Sequence, residues 1–282
     1  MNLFASIQAY LPGLTRDVFR LCIWLALLTA VFVPLERLFS LRQQRLSRSA
    51  VAADLAYYFI SSLGPAVLLS VPLSLLAVAA RHLIPAAIPL MLGGLPLAAK
   101  LLLALIVGEI GFYWGHRLSH QIPWLWRFHS LHHRAEHLYF LINTRAHPID
   151  MVVMRLFGLV PLYLLGLAGP GNGATTPVLI ILFGTVWDFF IHANLRWRLG
   201  ALEWLIATPV FHHWHHSRID HINHNYAAML PILDRLFGTL YLPRQWPTAY
   251  GVEELPALLT DRVPAAQSCS KSTPDNPASP SA

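Results

Sequence analysis

Charge is what this sequence has least of. Only 12% of its 282 residues are Asp, Glu, Lys or Arg, while 55% are hydrophobic; a soluble domain carries about a quarter charged residues. That scarcity leaves too little polar surface to cover a water-exposed globule, and it indicates an integral membrane protein. Cysteine is nearly absent as well. Cys22 lies in an apolar run and Cys269 in the C-terminal tail, which excludes a disulfide framework and a thiolate metal site. No HExxH motif occurs. The formal charge of +6 does not indicate a nucleic-acid partner, because the basic residues flank apolar runs as membrane-bordering charges do. The first apolar run, near 18–35, is long for a signal-peptide core and is followed by arginines rather than a small-residue cleavage site, so it reads as a span.

What the chain does have is long apolar segments, near 18–35, 56–80, 95–114, 151–169 and 175–191. Each approaches the ~20 helical residues that a bilayer core requires. Pro34, Pro65, Pro72 and Pro161 interrupt several of them, which neighbouring helices tolerate inside a bundle. Only "GPGNGATT" separates the last two segments, so these form two spans or a tight hairpin that does not fully cross. The first connection carries Arg37, Arg42, Arg45 and Arg48, and the 116–150 region carries Arg117, Arg127, Arg134 and Arg145. The excess of arginine assigns both to the cytoplasm, and 192–282 follows them there. From Ser268 onward the composition is that of a disordered tail.

The chain is rich in histidine. Fifteen occur, and all except His82 fall between His116 and His224. Eight form spaced clusters: His116-x3-His120, His129-x2-His132-His133 and His212-x2-His215-His216. Spacings of three and four place imidazoles on one helix face, about a turn apart, so one helix can offer several ligands to one metal region. His82, His137 and His221 read instead as interfacial anchors. Belt anchoring also accounts for most of the aromatics around the clusters, among them Tyr113, Trp114, Trp124, Trp126, Phe128, Trp187 and Trp214. A structural zinc site closes at four ligands; eight imidazoles suit two ions with open positions. Ligand type alone leaves zinc, copper, iron and nickel open. A di-haem arrangement is disfavoured, because the clusters lie just beyond the ends of the apolar segments rather than deep within them.

"HRLSH", "HSLHH" and "HHWHHS", followed by "NYAAMLPILDRLFGT", closely resemble the fatty acid hydroxylase/sterol desaturase superfamily of membrane di-iron oxygenases over roughly 95–240. "GEIGFYWGHRLSH" fits too, with Glu109 where Asp is more usual. The resemblance implies metal ligands at His116, His120, His129, His132, His133, His212, His215 and His216, and "FFIHAN" nominates His192 as a ninth. "RAHPID" marks His147 as a ligand or a supporting residue, while His213 is an extra histidine within the third box. Ligating imidazoles donate their second N–H to carboxylates or carbonyls, so Glu109, Asp188, Asp220 and Asn225 are candidates for that support. Asp234 reads as a loop-fixing residue.

The expected fold is all-α and integral to the membrane, with four to five transmembrane helices and a cytoplasmic helical cap carrying the histidine boxes. Residues 1–94 form N-terminal transmembrane helices and loops, 95–245 the hydroxylase-like catalytic domain, and 246–282 a C-terminal extension, disordered from about 268. The resemblance implies two iron ions, O2 as co-substrate and an external electron donor, a ferredoxin- or cytochrome-like protein with its reductase. The implied reaction is hydroxylation, or desaturation, at a C–H bond of a lipid, fatty acyl, sterol or carotenoid-like chain. The absence of a C-terminal dilysine signal favours a bacterial inner membrane over the endoplasmic reticulum. A metal transporter would need polar residues in mid-span, which Glu109 and Lys100 scarcely supply. A membrane zinc hydrolase would need a carboxylate base beside a histidine pair.

Overall fold

The computed structural model describes residues 3–168, 175–219 and 221–252. Most of "GPGNGATT", the expected disordered tail and Cys269 lie outside them. Among the described residues there is no strand, only two isolated bridges, Ser40 with Leu195 and Ser217 with Tyr250.

Helix α1 (Leu3–Phe39) leads through the arginine-rich connection into α2 (Arg48–Leu68). Ser47 caps α2, its hydroxyl oxygen accepting from the Ala50 amide at 3.1 Å, so one of the donors left open at a helix start is satisfied. The expected 56–80 segment is not one helix. It divides at Leu69, where α3 (Ser70–Leu83) begins. Pro72 has no N–H to offer the carbonyl of Leu68, so the ladder breaks there. Beyond a 107° bend lies α4 (Ala87–Gly93). Helix α5 (Leu97–Gln121) is followed at once by α6 (Pro123–His133). Pro123 forces Ile122 into an extended conformation, φ −96° and ψ 115°, which ends α5 and turns the chain.

Helices α7 (Pro148–Leu164) and α8 (Thr175–His192) form the late apolar pair. Short helices α9 (Pro209–His215) and α10 (Ile232–Leu236) complete the region after α8. Among the described residues, three helices are long and apolar enough to cross a bilayer: Gly13–Phe39 within α1, α2 and α5. The bent α3–α4 pair makes a fourth if it counts as one broken or re-entrant span. The 17 residues of α7 extend about 25 Å, short of the ~30 Å hydrocarbon core. The protein is thus an all-α membrane protein. Phe19, Leu27, Val67, Leu75 and Leu102 stand exposed on its longer helices, as lipid-facing side chains do.

Packing explains how these helices hold a site. Gly111 and Gly115 let α5 and α7 touch backbone to backbone: a Cβ on Gly111 would lie 2.1 Å from the Phe157 carbonyl, and one on Gly115 would lie 2.7 Å from the Phe157 side chain. Small residues at that spacing are the usual means of close helix approach in lipid. A second contact wraps the 138–142 loop in Leu28 and Phe32 of α1, Tyr58 of α2 and Phe189 of α8. Buried acids tie the loops down. The Glu36 carboxylate accepts from the amides of Phe140 (2.8 Å) and Asn194 (2.9 Å). Asp54 receives the Arg145 guanidinium at 2.6 and 2.9 Å and the Tyr139 hydroxyl at 2.6 Å. The α1–α2 connection lies against the chain just past α8, with the Leu41 amide donating to the Asn194 carbonyl at 3.1 Å.

Candidate metal centre

Four helices converge at their ends. The turn at Pro123 folds α6 back beside the end of α5, bringing His129, His132 and His133 to His116 and His120. Helix α8 ends on His192, and α9 supplies His212, His215 and His216. Nitrogens of His116, His120, His129, His133 and His215 lie within 4.8 Å of one another, and those of His132, His192, His212 and His216 make a second such group. The groups adjoin: the rings of His133 and His216 stack 4.5 Å apart. All nine histidines nominated from the sequence are therefore brought together, in a five and a four.

Several of the ring nitrogens facing outward are committed to hydrogen bonds. His116 Nδ1 lies 2.7 Å from the Tyr226 carbonyl, His192 Nδ1 2.6 Å from that of Asp188, and His215 Nδ1 2.8 Å from that of His224. A carbonyl only accepts, so each of these Nδ1 atoms carries the proton and each Nε2 presents a lone pair. Those lone pairs point inward at one another. Nε2 to Nε2 distances are 3.1 Å for His129–His133 and His132–His192, 2.9 Å for His192–His212 and 3.1 Å for His212–His216. Five further nitrogens, His120 Nε2, His132 Nδ1, His212 Nδ1, His215 Nε2 and His216 Nδ1, are buried without a hydrogen-bond partner.

Burial, reinforced by neighbouring imidazoles, holds His132, His133, His212, His215 and His216 well below the ordinary imidazole range. They are neutral near pH 7, which is the form that binds metal. Two nitrogens each about 2.1 Å from one ion at right angles stand about 3.0 Å apart, the separation that these Nε2 atoms show. The donor set fits first-row transition ions, one per group.

The nominated supporting residues divide. Asp188 acts through its backbone carbonyl on His192, while its side chain lines a cavity. Asn225 braces the loop rather than a ring: its Nδ2 donates to the carbonyls of Phe211 (2.8 Å) and Tyr241 (2.7 Å), and its Oδ1 accepts the Tyr241 amide at 2.8 Å. Glu109 touches no imidazole; its Oε2 accepts from the amides of Met229 (2.9 Å) and Leu230 (3.1 Å), fixing the turn after the third box. Asp234 does the same for the amides of Tyr226 and Ala227. His213 faces away from both groups. Its Nε2–H donates to the Ala193 carbonyl (3.1 Å) and its Nδ1 accepts the Tyr250 hydroxyl (2.8 Å). His147 caps α7, its Nδ1 accepting from the Ile149 amide at 3.2 Å, and joins neither group. Asp220 lies outside the described residues.

Two supports were missed. Asp150, the acid of "RAHPID", stands behind a nominated ligand: its oxygens lie 3.1 and 3.2 Å from His129 Nδ1. The motif's histidine is the residue type that ligates metals, whereas an acid three residues later carries no spacing signal of its own. Asn223 Oδ1 faces His120 Nδ1 at 3.1 Å from a backbone with φ +69°, a conformation that Asn tolerates better than most residues.

Above the imidazoles opens a cavity of about 690 Å3, within the roughly 300–1,000 Å3 usual for ligand pockets. His116, His129, His132, His192 and His212 line one end, and Leu21, Trp24, Leu28, Leu69, Leu73, Leu105 and Leu162 belong to its apolar walls.

Residues 101–239 match the family model described as fatty acid hydroxylase. The chain is 39% identical over 152 residues to an ornithine lipid hydroxylase of Rhizobium tropici, covering 52% of this chain and 44% of the relative. It is 31% identical over 145 residues to an alkylglycerol monooxygenase of Xenopus tropicalis (51% of this chain, 31% of the relative). With a methylsterol monooxygenase of Arabidopsis thaliana it shares 27% identity over 154 residues (50% and 52%). The chain thus spans from under a third to about half the length of these curated relatives. No solved structure matches it.

Proposed function

Because residues 101–239 are a fatty acid hydroxylase domain, we propose that this chain is an iron-dependent membrane oxygenase that hydroxylates a C–H bond of a lipid. The observation that carries the reading is the junction of two features: inward-facing imidazoles in two adjoining groups, and an apolar cavity that ends on them. Hydroxylation is favoured over desaturation because the R. tropici, X. tropicalis and A. thaliana relatives are named as a hydroxylase or monooxygenases. In this reading His116, His120, His129, His133 and His215 hold one iron, and His132, His192, His212 and His216 the other. The two ions, when bound, supply the activation of O2 and the oxidation of an unactivated C–H bond.

What the chain contributes is geometry. Carbonyls of Tyr226, Asp188 and His224 hold three rings in one tautomer and one orientation, and Asp150 does so for His129; fixing both is what outer partners of metal-bound histidine achieve. The apolar walls exclude water and align an alkyl chain with its reacting carbon toward the imidazoles.

The centre is assigned to the cytoplasmic face. The arginine-rich α1–α2 connection is hydrogen bonded to Asn194, two residues past His192, so the positive-inside tendency acts on both together. A bacterial inner membrane and a separate ferredoxin- or cytochrome-like electron donor with its reductase complete the proposal.

The test is purification of the protein with its metal counted, combined with mass spectrometry of lipids from cells with and without it under 18O2. Iron in the preparation and an 18O-labelled lipid that disappears in His132→Ala are expected. Iron-free but folded protein, or a lipid profile indifferent to the gene, would overturn the reading.

A further inference from the structure

The cavity wall contains a single Lys or Arg, Arg155 of α7. It is half-buried, and among the described residues it has neither an ion pair nor a hydrogen bond. The acids of the same wall are placed elsewhere. Asp150 is engaged with His129 and Glu109 with the Met229 and Leu230 amides, and Asp188 stands one helical turn before His192, at the imidazole end. Ser61, Ser62 and Ser70, which also line the cavity, donate their hydroxyl protons to the carbonyls of Ala146, Tyr58 and Val67. Arg155 is thus the wall's cationic donor, and nothing described answers its charge.

A guanidinium held half out of water without a counter-charge is costly. Ionisable residues within membrane helices mark ligand sites for that reason. The guanidinium's planar fork matches a carboxylate or phosphate in two parallel hydrogen bonds. On α7, Arg155 lies five residues beyond Asp150, about 7–8 Å along the axis, on a face that also gives Met151, Met154, Gly158, Leu159 and Leu162 to the cavity. The anchor and the His129 support therefore share one rigid helix.

Resting on the reading of the cavity as a lipid site, we propose that Arg155 binds the anionic headgroup of an amphiphilic substrate, a carboxylate or a phosphate, while the alkyl chain fills the apolar walls. The substrate class is an acidic lipid rather than a neutral sterol, alcohol or ether.

The test uses the metal-free full chain in detergent and no O2. Quenching of tryptophan fluorescence reports binding of 9,10-dibromostearate, its methyl ester and a phosphate-headed dibromostearyl chain, with Trp24→Phe identifying the signal from the cavity wall. Wild-type protein is expected to bind at least one anionic probe about tenfold or more tightly than the ester, the size of effect of one charge-assisted contact. Arg155→Gln should bring that ratio to within about twofold, and Arg155→Lys should leave it intermediate. Preference for the phosphate-headed probe alone, or for the carboxylate alone, identifies the headgroup. Binding of both anionic probes no tighter than that of the ester by the wild type overturns the proposal without any variant. So does a folded Arg155→Gln protein that keeps the preference. Either failure leaves the 18O2 result untouched, and absent 18O incorporation leaves these binding ratios standing.

Discussion

Asp150→Asn removes one negative charge and almost nothing else. The carboxylate is 5% exposed and lies 3.1 Å from His129 Nδ1, so it fixes both the proton on that nitrogen and the plane of the ring. An Asn side chain can offer either its oxygen or its NH2 group, and in the second case the His129 proton moves to Nε2, the atom that faces His133 Nε2 at 3.1 Å. Loss of an outer partner of this kind weakens metal binding about 10–100-fold, or about 1.4–2.7 kcal/mol. A helix-dipole contribution of about 0.3–1 kcal/mol is lost too, because Asp150 stands in the first turn of α7. The assay is equilibrium dialysis of the detergent-solubilised protein against Fe(II), with a thermal melt of the metal-free form as a control. We expect weakened binding concentrated in one of two sites and a melt lowered by only a few degrees. Unchanged affinity at both sites would falsify the assignment of Asp150 as a support for a ligand.

Other outcomes follow from the same coordinates. His132→Ala should abolish metal in the four-histidine group and all turnover; full iron content in the folded variant contradicts its place as a ligand. His213→Gln keeps a hydrogen-bonding side chain and His213→Ala does not, so the Ala variant should lose about 1–3 kcal/mol of stability while both retain metal; metal loss from the Gln variant would move His213 into the centre. Gly111→Ala places a methyl group 2.1 Å from the Phe157 carbonyl, and membrane-inserted yield should collapse; normal yield would refute the close α5–α7 contact. For pH, burial pushes His213 down to about 3, below its ordinary ~6.5. The folded form then binds fewer protons than the unfolded one, so stability is complete above about 6.5 and declines as pH falls toward 3. His132, His133, His212, His215 and His216 shift the same way, so acid should strip metal and lower the melting temperature together. A melt flat from pH 7 to 4 would count against their burial.

The sequence showed the ligands better than their supports. Spacings of three and four are properties of a helix face, so His116 with His120 and His212 with His215 and His216 could be grouped before any fold was known. Which residues share a centre depends on the turn at Pro123, and neither His132 parting from His129 and His133 nor His215 parting from His212 and His216 could be foreseen from "HSLHH" and "HHWHHS". Carbonyl partners leave no residue-type signature, and so Tyr226 and His224 were invisible. Glu109 was conspicuous as an acid in an apolar run, yet its partners are backbone amides more than a hundred residues away. The expected 56–80 span overlooked what Pro72 does to the carbonyl of Leu68. Asp150 reaches His129 only through the packing of α7 beside α6, a contact that no local spacing encodes.

Glu36, Tyr58 and Asp54 belong to the part of the chain that precedes the matched 101–239 segment. Yet Glu36 receives the amide two residues past His192, Tyr58 walls the cavity, and Asp54 grips the loop that leads into α7. A fragment cut at residue 95 would retain all nine imidazoles of the two groups and lose the roof over them. Grafting this catalytic segment onto another membrane anchor would therefore demand new acids at two of those joints and a new aromatic wall at the third, whatever the anchor's hydrophobicity.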